Sequence, residues 1–281
     1  MNGPNMSAAK DRVPVLRVRD LSKHFRQSGG SGGLTAAGRK NTLAAVDGIS
    51  FDLYRGEILG LLGESGCGKT TLARMLMHLI APSGGTIVFD GEEVQNMPER
   101  QFRKRRGKIQ MVFQNPFDCL DPTRRIHGLL EESMKIWHPE MRADERLERI
   151  RTMLAECGLG EDSLKKHPKE FSGGQLQRIS IARALLAEPK VLVADEIVSA
   201  LDVPIQNQIL QLLLKMKEEH SLTVLFITHD LSVARKVSDR VMVMQDGRIK
   251  GIGTPDEVLE GSEDPYIREL ARAVFTFAGE G

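Results

Sequence analysis

Four short apolar runs recur along the chain: Ile58-Leu59-Gly60-Leu61-Leu62, Ile109 to Phe113, Val191-Leu192-Val193-Ala194 and Val224 to Ile227. Each is too short for a helix, lacks alternation and ends at a polar or glycine-rich stretch, which predicts buried strands. Between them the period changes. Leu72, Met75, Leu76 and Leu79 fall on one face of a helix over 71–80, and residues 146–154 are spaced for an amphipathic helix. Residues 176–186 predict another, and Ile209, Leu212, Leu213 and Met216 form a core-facing stripe. Val46 to Leu53 alternates, so residues 13–60 are expected to form antiparallel strands beside this core. Gln27 to Asn41, rich in Gly, Ser and Ala, is expected to be a long, mobile hairpin tip. The fold class that results is α/β.

The polar ends of the runs carry the chemistry. After the first comes G-E-S-G-C-G-K-T: Gly63, Glu64, Ser65, Gly66, Cys67, Gly68, Lys69 and Thr70, with Thr71 opening the helix. This matches G-x-x-x-x-G-K-[ST] in the strand–turn–helix context that gives the pattern its meaning. Backbone N–H groups and a helix N-terminus then converge on one spot suited to a phosphate. Lys69 should reach the β- and γ-phosphates of a nucleotide, and Thr70 should give its hydroxyl to Mg²⁺. Cys67 is expected to be a tolerated small residue of the loop. The third run leads into Asp195-Glu196. Ligands in such sheets bind at the carboxyl ends of the strands, so Asp195 is the natural second Mg²⁺ partner. Glu196 is then placed to orient and polarise the attacking water. The fourth run ends in Thr228-His229-Asp230, and an imidazole there could contact the γ-phosphate and steady Glu196. The second ends in Gln114, whose amide could touch both metal and water.

About a hundred residues after the glycine octet the chain reads F-S-G-G-Q at Phe171 to Gln175. Taken alone it is a turn capping the helix that follows. Together with the octet, Gln114, V-L-V-A-D-E (191–196), S-A-L-D (199–202) and His229, in this order and spacing, the chain closely resembles the ATP-binding subunit of an ABC transporter. That resemblance implies a P-loop NTPase (RecA-like) core with an antiparallel β-subdomain and a helical signature-motif subdomain. It implies ATP and Mg²⁺ as cofactors and a head-to-tail pair of cassettes with two ATP molecules between them. Ser172, Gly173, Gly174 and Gln175 would then contact the γ-phosphate held by the opposing subunit. Asp202 would lie at the subunit interface, and Phe25 would stack on adenine, with core packing as its rival role.

A narrower resemblance is to oligopeptide, dipeptide and nickel importer ATPases. It rests on Asn115-Pro116-Phe117-Asp118-Cys119-Leu120-Asp121-Pro122, His167-Pro168-Lys169-Glu170-Phe171 and Asp264-Pro265-Tyr266-Ile267-Arg268. The chain departs from that pattern at Cys119 and Asp121, and from the wider family at Ile197-Val198, where Pro-Thr is common. The resemblance implies two transmembrane permease subunits as partners, a second ATP-binding subunit (the same chain or a related one), and indirectly an extracytoplasmic solute-binding protein. The expected location is the cytoplasmic face of the membrane. A soluble ATPase subunit of an enzyme complex, such as one for phosphonate breakdown, and an exporter subunit are the alternatives.

Composition adjusts this picture little. At 281 residues the chain fits one nucleotide-binding domain over 13–260, with a helical subdomain about 116–175 and a short tail, 261–281. The net charge of +1 advertises no nucleic-acid partner, and Arg103 to Arg106 is expected to be a solvated helix face. Three scattered cysteines form no metal or disulfide framework, as expected in a reducing compartment. No apolar run approaches the ~20 residues of a spanning helix, and the polar start is unlike a signal peptide.

Overall fold

The computed structural model describes residues 13–26 and 42–278. Two sheets organise it. The first is antiparallel, with β1 (Pro14–Arg26), β2 (Thr42–Tyr54), β4 (Gly84–Phe89) and β5 (Glu92–Glu93) in the order β2-β1-β4-β5. The 27–41 segment, expected as a hairpin tip, lies outside the described residues; the strands flanking it pair up to Arg26↔Thr42.

The second sheet has six strands. β3 (Ile58–Leu62), β6 (Ile109–Val112), β7 (Val191–Asp195), β8 (Thr223–Thr228), β9 (Arg240–Gln245) and β10 (Arg248–Gly253) run in the order β10-β9-β3-β8-β7-β6. All pairs are parallel except the β9–β10 hairpin. The central strands β3, β7 and β8 are buried at every position, because both faces of the sheet are covered. This produces the unbroken apolar runs of the sequence.

Successive side chains divide between the two faces, as the period of two requires. Leu59, Leu61, Val193 and Ile227 join the core formed with α1 (Lys69–Leu76) and the antiparallel sheet. Leu192, Ala194, Val224 and Phe226 join the opposite core. That core contains α3 (Ile126–Trp137), α4 (Ala143–Glu156), α5 (Gly173–Leu185) and α6 (Val203–His220). Between β5 and β6 lies the single turn of α2 (Glu99–Phe102), whose Phe102 is buried. Arg105 and Arg106, expected on a solvated helix face, instead follow this turn and pair with Glu92 and Glu99.

The predicted helix over 71–80 stops earlier. His78 takes φ 56, and the N–H groups of His78 and Leu79 return to the carbonyls of Met75 and Arg74. This double closure is a Schellman end, which turns the chain away from the helix axis. Leu79 is therefore 52% exposed, not part of the apolar stripe. At the other end of the chain, α7 (Leu231–Val237), α8 (Pro255–Leu259) and α9 (Pro265–Ala278) form a third apolar cluster with Leu62, Val241 and Val243. None of the helices among the described residues is long and apolar enough to cross a membrane.

Candidate functional site

Strand register brings the polar ends together. Leu62 pairs with Thr228, Asp195 with Ile227 and Val112 with Ala194, so β3, β6, β7 and β8 finish level. The residues that follow them emerge along one carboxyl edge of the sheet, where such sheets bind ligands.

The glycine octet forms a closed turn on this edge. Gly68 has φ 109, and a Cβ there would lie 2.1 Å from the carbonyl oxygen of Ala45 on β2. Only glycine combines that conformation with that approach. From behind, the Gly247 N–H donates to the carbonyl of Cys67 (3.0 Å). Cys67 is buried, and burial pushes its thiol pKa up, which disfavours the reactive thiolate. Glu64, Ser65, Gly66 and Thr70 are exposed, and Thr71 is half-buried. Lys69 is only 5% exposed; its Nζ donates to the carbonyls of Gly63 (2.7 Å) and Glu64 (2.9 Å). This fixes the ammonium at the turn, 3.9 Å from Oε1 of Glu196.

Asp195 is buried at the end of β7, and its Oδ1 has no hydrogen-bond partner among the described residues. Burial raises its pKa, reinforced by the charge of Glu196, while a hydrogen bond with Thr70 and the charges of Lys69 and Arg74 oppose the rise. An orphaned carboxylate oxygen beside a threonine hydroxyl suits a hard cation. Mg²⁺ takes few protein oxygens and completes its shell with water and phosphate. In keeping with that sparse donor set, no group of three or more His, Cys, Asp or Glu side chains among the described residues could hold a metal.

Glu196 follows with φ 50, its N–H donating to the carbonyl of Ile227 (2.9 Å). This left-handed kink aims the side chain away from the strand it leaves. Its Oε2 lies 3.4 Å from Nδ1 of His229. Gln114 reaches the same residue through an intermediary: Gln114 Nε2 donates to Ser199 Oγ (3.1 Å), and Ser199 Oγ donates to the backbone carbonyl of Glu196 (2.9 Å). In the sequence Ser199 carries no signal of its own beyond membership of the S-A-L-D stretch. A cleft of about 680 Å³ runs from Thr70, Arg74 and Asp195 past Gln114 to Ile136 and Trp137 of α3.

The structure does not bring Ser172–Gln175 into that cleft. Ser172 is the N-cap of α5: its Oγ accepts from the Gln175 N–H (3.3 Å), and Gln175 Oε1 accepts from the Ser172 N–H (3.0 Å). Ser172 and Gln175 are exposed. Gly174 is buried, and a Cβ on it would meet Ile205 Cγ2 at 2.3 Å, so glycine here lets α5 approach α6; Gly173 is half-buried. Asp202 sits exposed at the N-cap position of α6 without making a capping bond. Phe25 is 41% exposed, so it is not a core residue. It pairs with Leu43, two residues from the Ala45 that backs the glycine turn, and Lys23 Nζ lies 5.3 Å from its ring centroid.

A glycine turn closed around a buried lysine after β3, with an acidic pair at the level end of β7, one strand (β8) away in the same parallel sheet, defines a P-loop ATPase. Within that class the chain belongs to the ABC transporter family, whose model matches residues 46–199. It is an ATP-binding cassette that hydrolyses ATP. It is 42% identical to the oligopeptide transport ATP-binding protein OppF of Escherichia coli over 95% of this chain and 80% of that protein. It is 44% identical to a putative peptide import ATP-binding protein of Brucella ovis over 93% of this chain and 79% of that one. Among solved structures it resembles the dimeric post-hydrolysis state of the cassette MJ0796 bound to ADP and Pi. There the TM-score is 0.74 and the identity 27%, over 85% of this chain and 98% of that one. It also resembles cbiO1 of Clostridium perfringens, part of the ABC transporter complex cbiONQ, with TM-score 0.74 and 28% identity over 94% and 97% of the two chains.

Proposed function

We propose that the chain powers peptide import, working with a second cassette and with separate permease subunits at the cytoplasmic face of a membrane. The observation that carries this reading is its 42–44% identity, along nearly its whole length, to ATP-binding proteins named for oligopeptide transport and peptide import. An extracytoplasmic solute-binding protein would deliver the substrate.

In this reading the glycine turn (63–70) and the N-terminus of α1 wrap the phosphates, Lys69 moves onto the β- and γ-phosphate oxygens, and Phe25 stacks on adenine. Thr70 and Asp195 would hold Mg²⁺, with Gln114 adjoining. The ion, when bound, neutralises charge on the phosphate oxygens. Glu196 orients the attacking water and accepts its proton, and His229 fixes the Glu196 carboxylate through Nδ1. The hydrogen bonds from Gln114 to Ser199 and from Ser199 to the Glu196 backbone tie the base to the loop after β6, so movement of one is felt by the other.

The capping box on α5 suits a contact with a facing subunit. Ser172 Oγ accepts within its own chain, which leaves its O–H proton as a donor to a γ-phosphate across the interface; the Gln175 amide NH₂ is directed by the same pair of bonds. Binding of ATP closes the pair through these contacts, and loss of phosphate removes them, so the two states differ by ligand contacts. Asp202 lies at that interface. The cleft beside Gln114 is lined in part by the exposed apolar side chains of Phe113 and Ile136, and a permease peptide docks there.

The test is reconstitution. The chain should copurify from membranes with two multi-spanning proteins, and the complex in vesicles should take up short peptides when ATP is supplied. Uptake of Ni²⁺ in place of peptides would reassign the substrate, and recovery in a soluble complex without membrane proteins would sink the transport reading.

A further inference from the structure

The Asp264–Arg268 stretch has no part in the hydrolytic site, yet it reaches the phosphate cradle. Asp264 Oδ1 accepts from the N–H groups of Tyr266 (2.9 Å) and Ile267 (3.3 Å), and Arg268 Nε donates to the carbonyl of Ser262 (3.0 Å). These bonds fix the first turn of α9. Tyr266 and Ile267 are buried against the cluster that includes Leu62, the last residue of β3 before the glycine turn. From there the Tyr266 hydroxyl accepts a hydrogen bond from the backbone N–H of Glu64, at 3.3 Å and across 202 residues of sequence. Burial pushes the phenol pKa up, so the group is a neutral hydroxyl at physiological pH.

Glu64 is thus held at both of its backbone groups. Its N–H goes to α9, and its carbonyl takes Lys69 Nζ at 2.9 Å. The second contact is the one Lys69 gives up when its ammonium turns to phosphate oxygens. The first does not involve the lysine and persists. Glu64 itself is exposed and begins the turn, where a free loop would lose most conformational freedom on closing around a ligand.

We propose that Tyr266 is a positioning residue for nucleotide binding: α9 holds the first step of the phosphate cradle in its binding conformation. The ordering cost is then met on folding, and not each time a nucleotide arrives.

Tyr266→Phe removes the acceptor and keeps the ring. On the full-length chain, calorimetric titration with ADP and with ATP should give a Kd raised about three- to tenfold, the scale of one net hydrogen bond. The nucleotide-free melting temperature should fall by only about 1–4 °C, the share of one net hydrogen bond made on folding, because the ring packing is kept. In ATP turnover the loss should appear in KM and not in kcat. An unchanged Kd, or a loss confined to the melting temperature or to kcat, overturns the proposal.

Discussion

Oε2 of Glu196 lies 3.4 Å from Nδ1 of His229, and the two residues arrive there from the ends of adjacent parallel strands. The kink at Glu196, with φ 50, and its N–H bond to Ile227 make this approach a property of the backbone. A carboxylate held in this way can orient water without first being ordered itself.

Glu196→Gln keeps the shape and removes the carboxylate proposed as the base. Turnover should fall by about 10²- to 10⁴-fold, the usual contribution of a positioned general base, while ATP binding is retained. Phosphate release and nucleotide titration on the same preparation check this, and unchanged hydrolysis would remove Glu196 from its role.

Asp195 predicts a pH signature. Its folded pKa is raised by burial and by Glu196, so between the ordinary carboxylate range and the raised value the native state binds more protons than the unfolded one. Stability from this group therefore declines as pH rises through that window and is lowest above it. Asp195→Asn should melt higher than the parent at pH 7.5, by on the order of 1 kcal/mol for one relieved buried charge. The gap should close as pH falls toward the normal carboxylate range. Melting curves from pH 4 to 8 measure it; a variant less stable at every pH contradicts the assignment.

Gly174 tests the packing of the signature helix. Adding one methyl group, in Gly174→Ala, forces a contact 2.3 Å from Ile205 Cγ2. Overpacking of this kind costs about 1–3 kcal/mol, against which the intrinsic helix gain of Ala over Gly, up to about 1 kcal/mol, is smaller. A lower midpoint in urea is the expected outcome, and an equal or higher midpoint would show that α6 yields.

The parts of this molecule legible in the sequence are those fixed by local pattern. β3, β7 and β8 are buried on both faces and so read as unbroken apolar runs, and the polar group at each end stands out against them. The position of Ser199 between Gln114 and Glu196 was not legible, because that link spans 85 residues and involves a common side chain. Tyr266 was visible only as part of a subfamily pattern; its partner, Glu64, is set by how α9 packs on Leu62. The helix end at His78 was missed because Leu79 continues the apolar spacing while a left-handed residue breaks the helix before it. At Ser172 local pattern identified the capping turn, which the structure contains.

In the proposed closed pair the signature residues serve the nucleotide of a facing cassette. Ser172→Arg tests this arrangement most directly, with nucleotide affinity of the isolated chain and ATP turnover of the assembled pair measured on one variant. The Kd for ATP should stay within about twofold of the parent, since the bulky cation lies outside the chain's own cradle, and turnover should fall by at least about 10²-fold, since the closed pair loses its transition-state contacts. Loss of ATP binding by the isolated chain, or turnover that survives the substitution, would contradict it.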